Sequence, residues 1–132
     1  MSVTITFVGS GESFGSGGRF NTCFLVDTPG FRFCIDFGAT SLVALNALNI
    51  PHNSIDAILL THLHGDHCGG IPFLLMDAML GAKRQSPLLI AGPKDTTARM
   101  ADVAAAVMPG MHVMTPKFEV TYADVECFAE HR

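Results

Sequence analysis

Hydrophobic residues alternate with polar ones over Val3 to Val8, a period of two that predicts a β-strand. Two further apolar runs, Thr22 to Asp27 and Phe31 to Asp36, are separated by Thr28-Pro29-Gly30. Pro followed by Gly between two strand-like runs is a hairpin signal, so the chain opens as a meander. The Gly- and Ser-rich stretch from Gly9 to Gly18 reads as the loop after the first strand. The pattern then changes period. Ser41 to Leu48 predicts a short helix capped by Thr40 or Ser41 and ended by Pro51. Asp56 to Thr61 is a continuous apolar run of the kind buried on both faces.

Ile71 to Ala82 predicts a helix with Pro72 in its first turn, where the missing N–H does no harm. Pro87 to Ala91 predicts a buried strand, and Asp95 to Val107 an Ala-rich helix stopped by Pro109-Gly110. Lys117 to Tyr122 and Val125 to Ala129 predict two more strands. Strands first, then helices alternating with strands, place the chain in the layered α/β (α+β) class, as one domain over residues 1–132.

Composition sharpens this picture. At 132 residues the chain is long enough for a real core, and 48% of it is apolar with a mean hydropathy of +0.37. That excludes a disordered chain and is apolar for a freestanding domain of this size, which suggests surface hidden against something else. The net charge is −4 and the only adjacent basic pair is Lys83-Arg84, so no basic stripe points to nucleic acid. No apolar run has the length of a membrane span, and the opening MSVTITFVGS has no signal-peptide pattern. With Cys23, Cys34, Cys68 and Cys127 outside any C-x-x-C pair, reduced thiols and a cytoplasmic location are expected.

The chemistry is concentrated in Thr61-His62-Leu63-His64-Gly65-Asp66-His67. Residues i and i+2 of an extended chain point to the same side, so His62 and His64 can present two imidazoles to one metal. Gly65 permits a sharp turn, after which Asp66 and His67 open the next helix and can face a second metal. Imidazoles with a carboxylate suit zinc or a related ion. Two such ions can share a water and lower its pKa, giving a hydroxide that attacks a carbonyl or phosphoryl centre. A solvent-exposed polar loop is the bland alternative; a purely structural zinc site would favour cysteines. The Gly9–Gly18 loop has neither G-x-G-x-x-G before a helix nor G-K-[ST], so a nucleotide-binding reading is rejected. His52 and His112 lie in Pro-containing loops and are expected at the surface.

The stretch ILLTHLHGDHCGG resembles the H-x-H-x-D-H signature of metallo-β-lactamase-fold proteins. The flanks FVGSGESFGSGGRFNTCFLVD, FCIDFGAT and GGIPFLLMDAMLGAKRQSPLLIAGP resemble its ribonuclease Z-like branch. The resemblance implies an αββα sandwich of which this chain is the N-terminal half, incomplete at the C-terminus. It implies that His62 and His64 bind a first metal, that Asp66 and His67 bind a second, and that Asp66 orients or deprotonates water. It offers Asp36 as a hydrogen-bonding support, with a turn-capping aspartate as the alternative. It offers His131 as a further ligand, with an exposed terminal histidine as the alternative. The implied activity is that of a two-zinc phosphodiesterase acting on RNA or a small phosphodiester. Two readings stand beside it: hydrolysis of a thioester, lactone or amide, and a non-catalytic metal-binding or interaction module. A homodimer or a C-terminal half would complete the ligand set.

Overall fold

The computed structural model describes residues 1–127 and Glu130. Six strands form one sheet in chain order: β1 (Thr4–Gly9), β2 (Cys23–Thr28), β3 (Phe31–Ile35), β4 (Ala57–Leu59), β5 (Leu88–Pro93) and β6 (Val120–Val125). The first three pair antiparallel, as the Pro-Gly turn at 29–30 requires. From β3 onward the pairing is parallel, and each crossover carries helix. The helices are α1 (Ser41–Ala47), the single turn α2 (Gly65–Cys68), α3 (Ile71–Leu80) and α4 (Thr96–Val107).

Sheet register sorts the side chains into two faces. Leu25, Cys34, Ile58 and Ile90 lie side by side across β2 to β5, each at most 2% exposed. With Leu45, Ile71, Leu74 and Met100 from the helices they form the core. The neighbouring row, Phe7, Phe24, Ile35 and Leu59, points the other way. On that side Ile5, Phe7, Phe31 and Leu59 are exposed, and no helix among the described residues covers them. The expectation that Asp56–Thr61 is buried on both faces is therefore corrected in part: Leu59 is 37% exposed, although Ala57 on the same face of β4 is buried.

Three further expectations change. Of the two strands expected over Lys117–Tyr122 and Val125–Ala129, the described residues form the single strand Val120–Val125, and residues 128–129 lie outside them. Helix α1 ends before Pro51, because Asn49 takes a left-handed φ of 54° and breaks the helical path. His52 is 4% exposed, its Nε2 lying 2.6 Å from the Asp77 carboxylate, whereas His112 is at the surface as expected. Cys127 is exposed, unlike the buried thiols Cys23, Cys34 and Cys68.

Beneath α3, the buried Arg84 donates to the carbonyls of His52, Ile55, Ser86 and Pro87, tying the chain before β4 to the chain before β5. Burial lowers the Arg84 pKa, against a smaller opposing pull from Asp56. No helix among the described residues is long and apolar enough to cross a membrane.

Candidate metal centre

β4 ends at Leu59, and two residues later the chain enters the histidine cluster at the parallel strands' C-terminal edge. Loops there are free of ladder constraints, which makes this edge of an open sheet the usual place for ligands. Two close backbone approaches fix the cluster. A Cβ on Gly38 would lie 2.1 Å from the Asp66 carbonyl oxygen, and one on Gly70 would lie 2.1 Å from the Gly38 carbonyl oxygen. Only glycine fits either position. The approach is sealed by Phe37 N–H donating to the His67 carbonyl at 2.7 Å and Gly70 N–H donating to the Phe37 carbonyl at 3.1 Å. The turn after β3 is thus clamped onto α2.

Asp36 occupies the first position of that turn, at a left-handed φ of 62° and 1% exposed. Aspartate tolerates this region better than most residues, yet the conformation still carries a cost of roughly 1 kcal/mol or more. What it achieves is convergence on one carboxylate. Asp36 accepts from the Thr61 N–H at 2.8 Å, from the Thr61 hydroxyl at 2.8 and 3.0 Å, and from His67 Nδ1 at 2.7 Å. Asp36 thus both opens the turn and hydrogen-bonds His67.

The candidate side chains of residues 62–67 lie near one another. The His62 and His64 rings lie 4.8 Å apart and the His62 and His67 rings 4.0 Å apart, centroid to centroid. The Asp66 carboxylate is 3.2 Å from His67 Nε2. Burial raises the Asp66 pKa, but the Ser13 hydroxyl, its own backbone N–H, and His67 and His62 outweigh burial and leave it below the usual range. Asp66 is therefore held as a carboxylate.

These donors suit a divalent cation in kind. His67 Nδ1 lies 2.7 Å from the Asp36 carboxylate and its Nε2 3.2 Å from the Asp66 carboxylate, so the ring stands between two carboxylate acceptors. Two acceptors in that relation are stabilised by a cation between or beside them. Among the described residues, however, no three or more His, Cys, Asp or Glu side chains are arranged as a ready-made metal cage. His131 lies outside the described residues.

A hollow of about 580 Å³ opens beside the cluster, lined by Ser13, His64, Asp66, Phe73, Val103 and Val107 among others. The Gly-rich loop that supplies Ser13 is held by its own contacts: the Glu12 carboxylate accepts from Phe14 N–H at 2.5 Å and Ser16 N–H at 2.8 Å. Sequence reading assigned no role to Thr61 or Ser13. The position of Thr61 next to the first histidine was a usable signal; Ser13 had none, since its contact with Asp66 is remote in sequence.

The mixed sheet, with its histidine cluster at the C-terminal edge, defines a metallo-β-lactamase fold of the ribonuclease Z-like branch. Human tRNase Z, short form, superposes on 95% of this chain with a TM-score of 0.75 and 26% identity, and the match covers 46% of that chain. Residues 3–102 match the family model described as Anti-Pycsar protein Apyc1, and the chain belongs to that family. An Anti-Pycsar protein Apyc1 from Paenibacillus xerothermodurans is 44% identical over 71 residues, which is 54% of this chain and 28% of that protein. A ribonuclease Z from Alkaliphilus oremlandii is 36% identical over 92 residues, 70% of this chain and 29% of that protein. The chain thus spans less than a third of the length of these two relatives.

Proposed function

We propose that this chain carries the metal-binding segment of a divalent-metal-dependent hydrolase that cleaves phosphodiesters in the manner of a ribonuclease Z, with zinc as the ion. The observation that carries the reading is the joint arrangement of His67 and Asp66, anchored on Asp36 from behind and flanked by the His62 and His64 rings. The similarity to a ribonuclease Z supports an ester of phosphate, in RNA or a smaller molecule, as the substrate.

His62, His64, Asp66 and His67 would hold the ions, with His131 as a further donor. A bound divalent ion supplies positive charge that lowers the pKa of water and offsets the charge growing on the phosphoryl oxygens. The protein residues do the rest. Asp66, kept ionised by the Ser13 hydroxyl and the nearby imidazoles, is placed to orient the attacking water and take its proton. Asp36 and Thr61 keep the cluster's rings from turning away. Among the described residues no lysine or arginine lines the hollow beside His64 and Asp66, which suits an uncharged part of the substrate next to the scissile bond.

The test is hydrolysis of bis(p-nitrophenyl) phosphate by purified protein loaded with zinc. We expect turnover that a chelator abolishes and that His64→Ala lowers at least about 100-fold. Equal activity in His64→Ala refutes the assignment.

A second reading has its own observation: the described donors do not close a cage. A metal-binding or interaction module would bind zinc without turning over any ester. Metal-dependent turnover, whether of a phosphodiester or of a thioester, lactone or amide, rules it out.

A further inference from the structure

We infer that Thr61 is a positioning residue: its hydroxyl relays the Asp36 carboxylate to His62 and fixes the proton of His62 on Nδ1. The inference rests on the metal-site reading for its purpose, but its geometry stands without it. The Thr61 hydroxyl oxygen lies 2.8 and 3.0 Å from the two Asp36 carboxylate oxygens and 3.1 Å from His62 Nδ1.

A hydroxyl has one proton to give and lone pairs to receive with, whereas an ionised carboxylate only accepts. The Thr61 proton therefore goes to Asp36. The remaining contact is satisfied only if His62 Nδ1 carries the hydrogen and donates to the Thr61 oxygen. A bare Nδ1 would face that oxygen lone pair to lone pair. His67 obeys the same logic directly, since its Nδ1 lies 2.7 Å from Asp36. One buried carboxylate thus sets the tautomer of two rings whose centroids are 4.0 Å apart, one by contact and one through Thr61. His67 Nε2 faces the Asp66 carboxylate at 3.2 Å, and His62 is left with an unprotonated Nε2. That is the nitrogen a metal needs, and fixing it by a hydrogen bond at the other nitrogen is how proteins choose it.

The Thr61 backbone strengthens the case. Its N–H donates to the same carboxylate at 2.8 Å, so the residue is held at two points and its hydroxyl has little freedom to swing elsewhere. A threonine immediately before the first histidine is placed for this; an apolar residue there would leave His62 Nδ1 with no acceptor from Asp36.

The experiment is nitrogen-15 NMR of the metal-free chain, uniformly labelled, at about pH 8, where an ordinary imidazole is neutral. Wild-type His62 should show a protonated Nδ1 and an unprotonated Nε2, and wild-type His67 a protonated Nδ1. In Thr61→Val, His62 should move toward the Nε2-protonated form while His67 stays as it was. Thr61→Ser, which keeps the hydroxyl, should restore the wild-type pattern at His62. Urea midpoints for all three proteins separate this from loss of fold. Cobalt affinity is a second readout: a fall of about 10–100-fold is expected in Thr61→Val, with most of it recovered in Thr61→Ser. His62 protonated on Nε2 in the wild type overturns the inference, as does a Thr61→Val spectrum in which His62 is unchanged. If the tautomer follows Thr61 but the wild type binds no cobalt, the relay stands and the hydrolase reading falls.

Discussion

A buried carboxylate with three donors on it is a point where a small chemical change has a large effect. Asp36→Asn preserves shape but replaces one accepting oxygen with an NH2 group. If the amide places its oxygen toward Thr61, its nitrogen faces His67 Nδ1 and donates to it. His67 must then carry its proton on Nε2, where no metal can bind. We expect cobalt affinity of Asp36→Asn to fall about 10–100-fold, measured by competition with a chelator, while the far-ultraviolet spectrum is retained. Wild-type affinity in this variant would show that Asp36 is only a turn former. The four ligand candidates in residues 62–67 were readable in the sequence because their spacing is local. The role of Asp36 was readable only as one of two options, because the contacts that decide it come from Thr61 and His67, 25 and 31 residues away.

At the scale of elements, two tertiary hydrogen-bonding groups hold helices and strands in place. Arg84→Met removes a guanidinium that serves four buried or half-buried carbonyls and leaves them without donors. Each unsatisfied buried carbonyl costs about 1 kcal/mol or more, partly offset by apolar packing of the methionine, so a loss of about 2–4 kcal/mol is expected in urea unfolding. A loss within 0.5 kcal/mol would mean water replaces the guanidinium freely (the scale of a surface change). The second group is Asp124 on β6, whose carboxylate accepts from the N–H groups of Asp95 and Thr97 and from the Thr97 hydroxyl at the start of α4. The Thr97 hydroxyl and the two N–H groups pull its pKa below the usual aspartate range. A depressed pKa contributes stability above the unfolded-state value and loses it as pH falls through the folded one. Asp124→Asn should therefore unfold at a lower temperature than wild type at pH 7, and the gap should close on acidification below the ordinary aspartate range. A gap that persists in acid would assign the effect to packing instead. This same aspartate explains why the sequence suggested two strands at 117–129. Asp is disfavoured in strands, so Ala123-Asp124 looked like a break, but on an edge strand it faces the helix it caps. The strands of the first half were legible because alternation and the Pro-Gly turn are local signals. His52 looked like a surface residue because its partner, Asp77, lies 25 residues away on another helix.

The whole molecule is asymmetric about its sheet, and this asymmetry makes a prediction about behaviour in solution. One face is packed by helices; the other presents Ile5, Phe7, Phe31 and Leu59 to solvent, 56%, 69%, 46% and 37% exposed. Contiguous apolar surface of this kind binds apolar dyes and drives association. Phe7 is the most exposed of the four and sits on the edge strand β1, where an added lysine also discourages pairing with another chain. Among the described residues its aromatic partner is Phe24, at 5.1 Å in an edge-to-face arrangement, a contact worth about 1 kcal/mol. Phe7→Lys should therefore lower anilinonaphthalene sulfonate fluorescence and shift the sedimentation profile toward smaller species, while destabilising the fold by no more than about 1 kcal/mol. Ile58→Ala is the matched control on the opposite face. Ile58 is fully buried among Cys34, Ile90 and the helices, so its loss should cost about 2–5 kcal/mol without reducing dye binding. If instead Phe7→Lys unfolds the protein as readily as Ile58→Ala does, the supposedly open face is packed in solution. If dye binding is unchanged by Phe7→Lys, the apolar surface that the dye senses lies elsewhere.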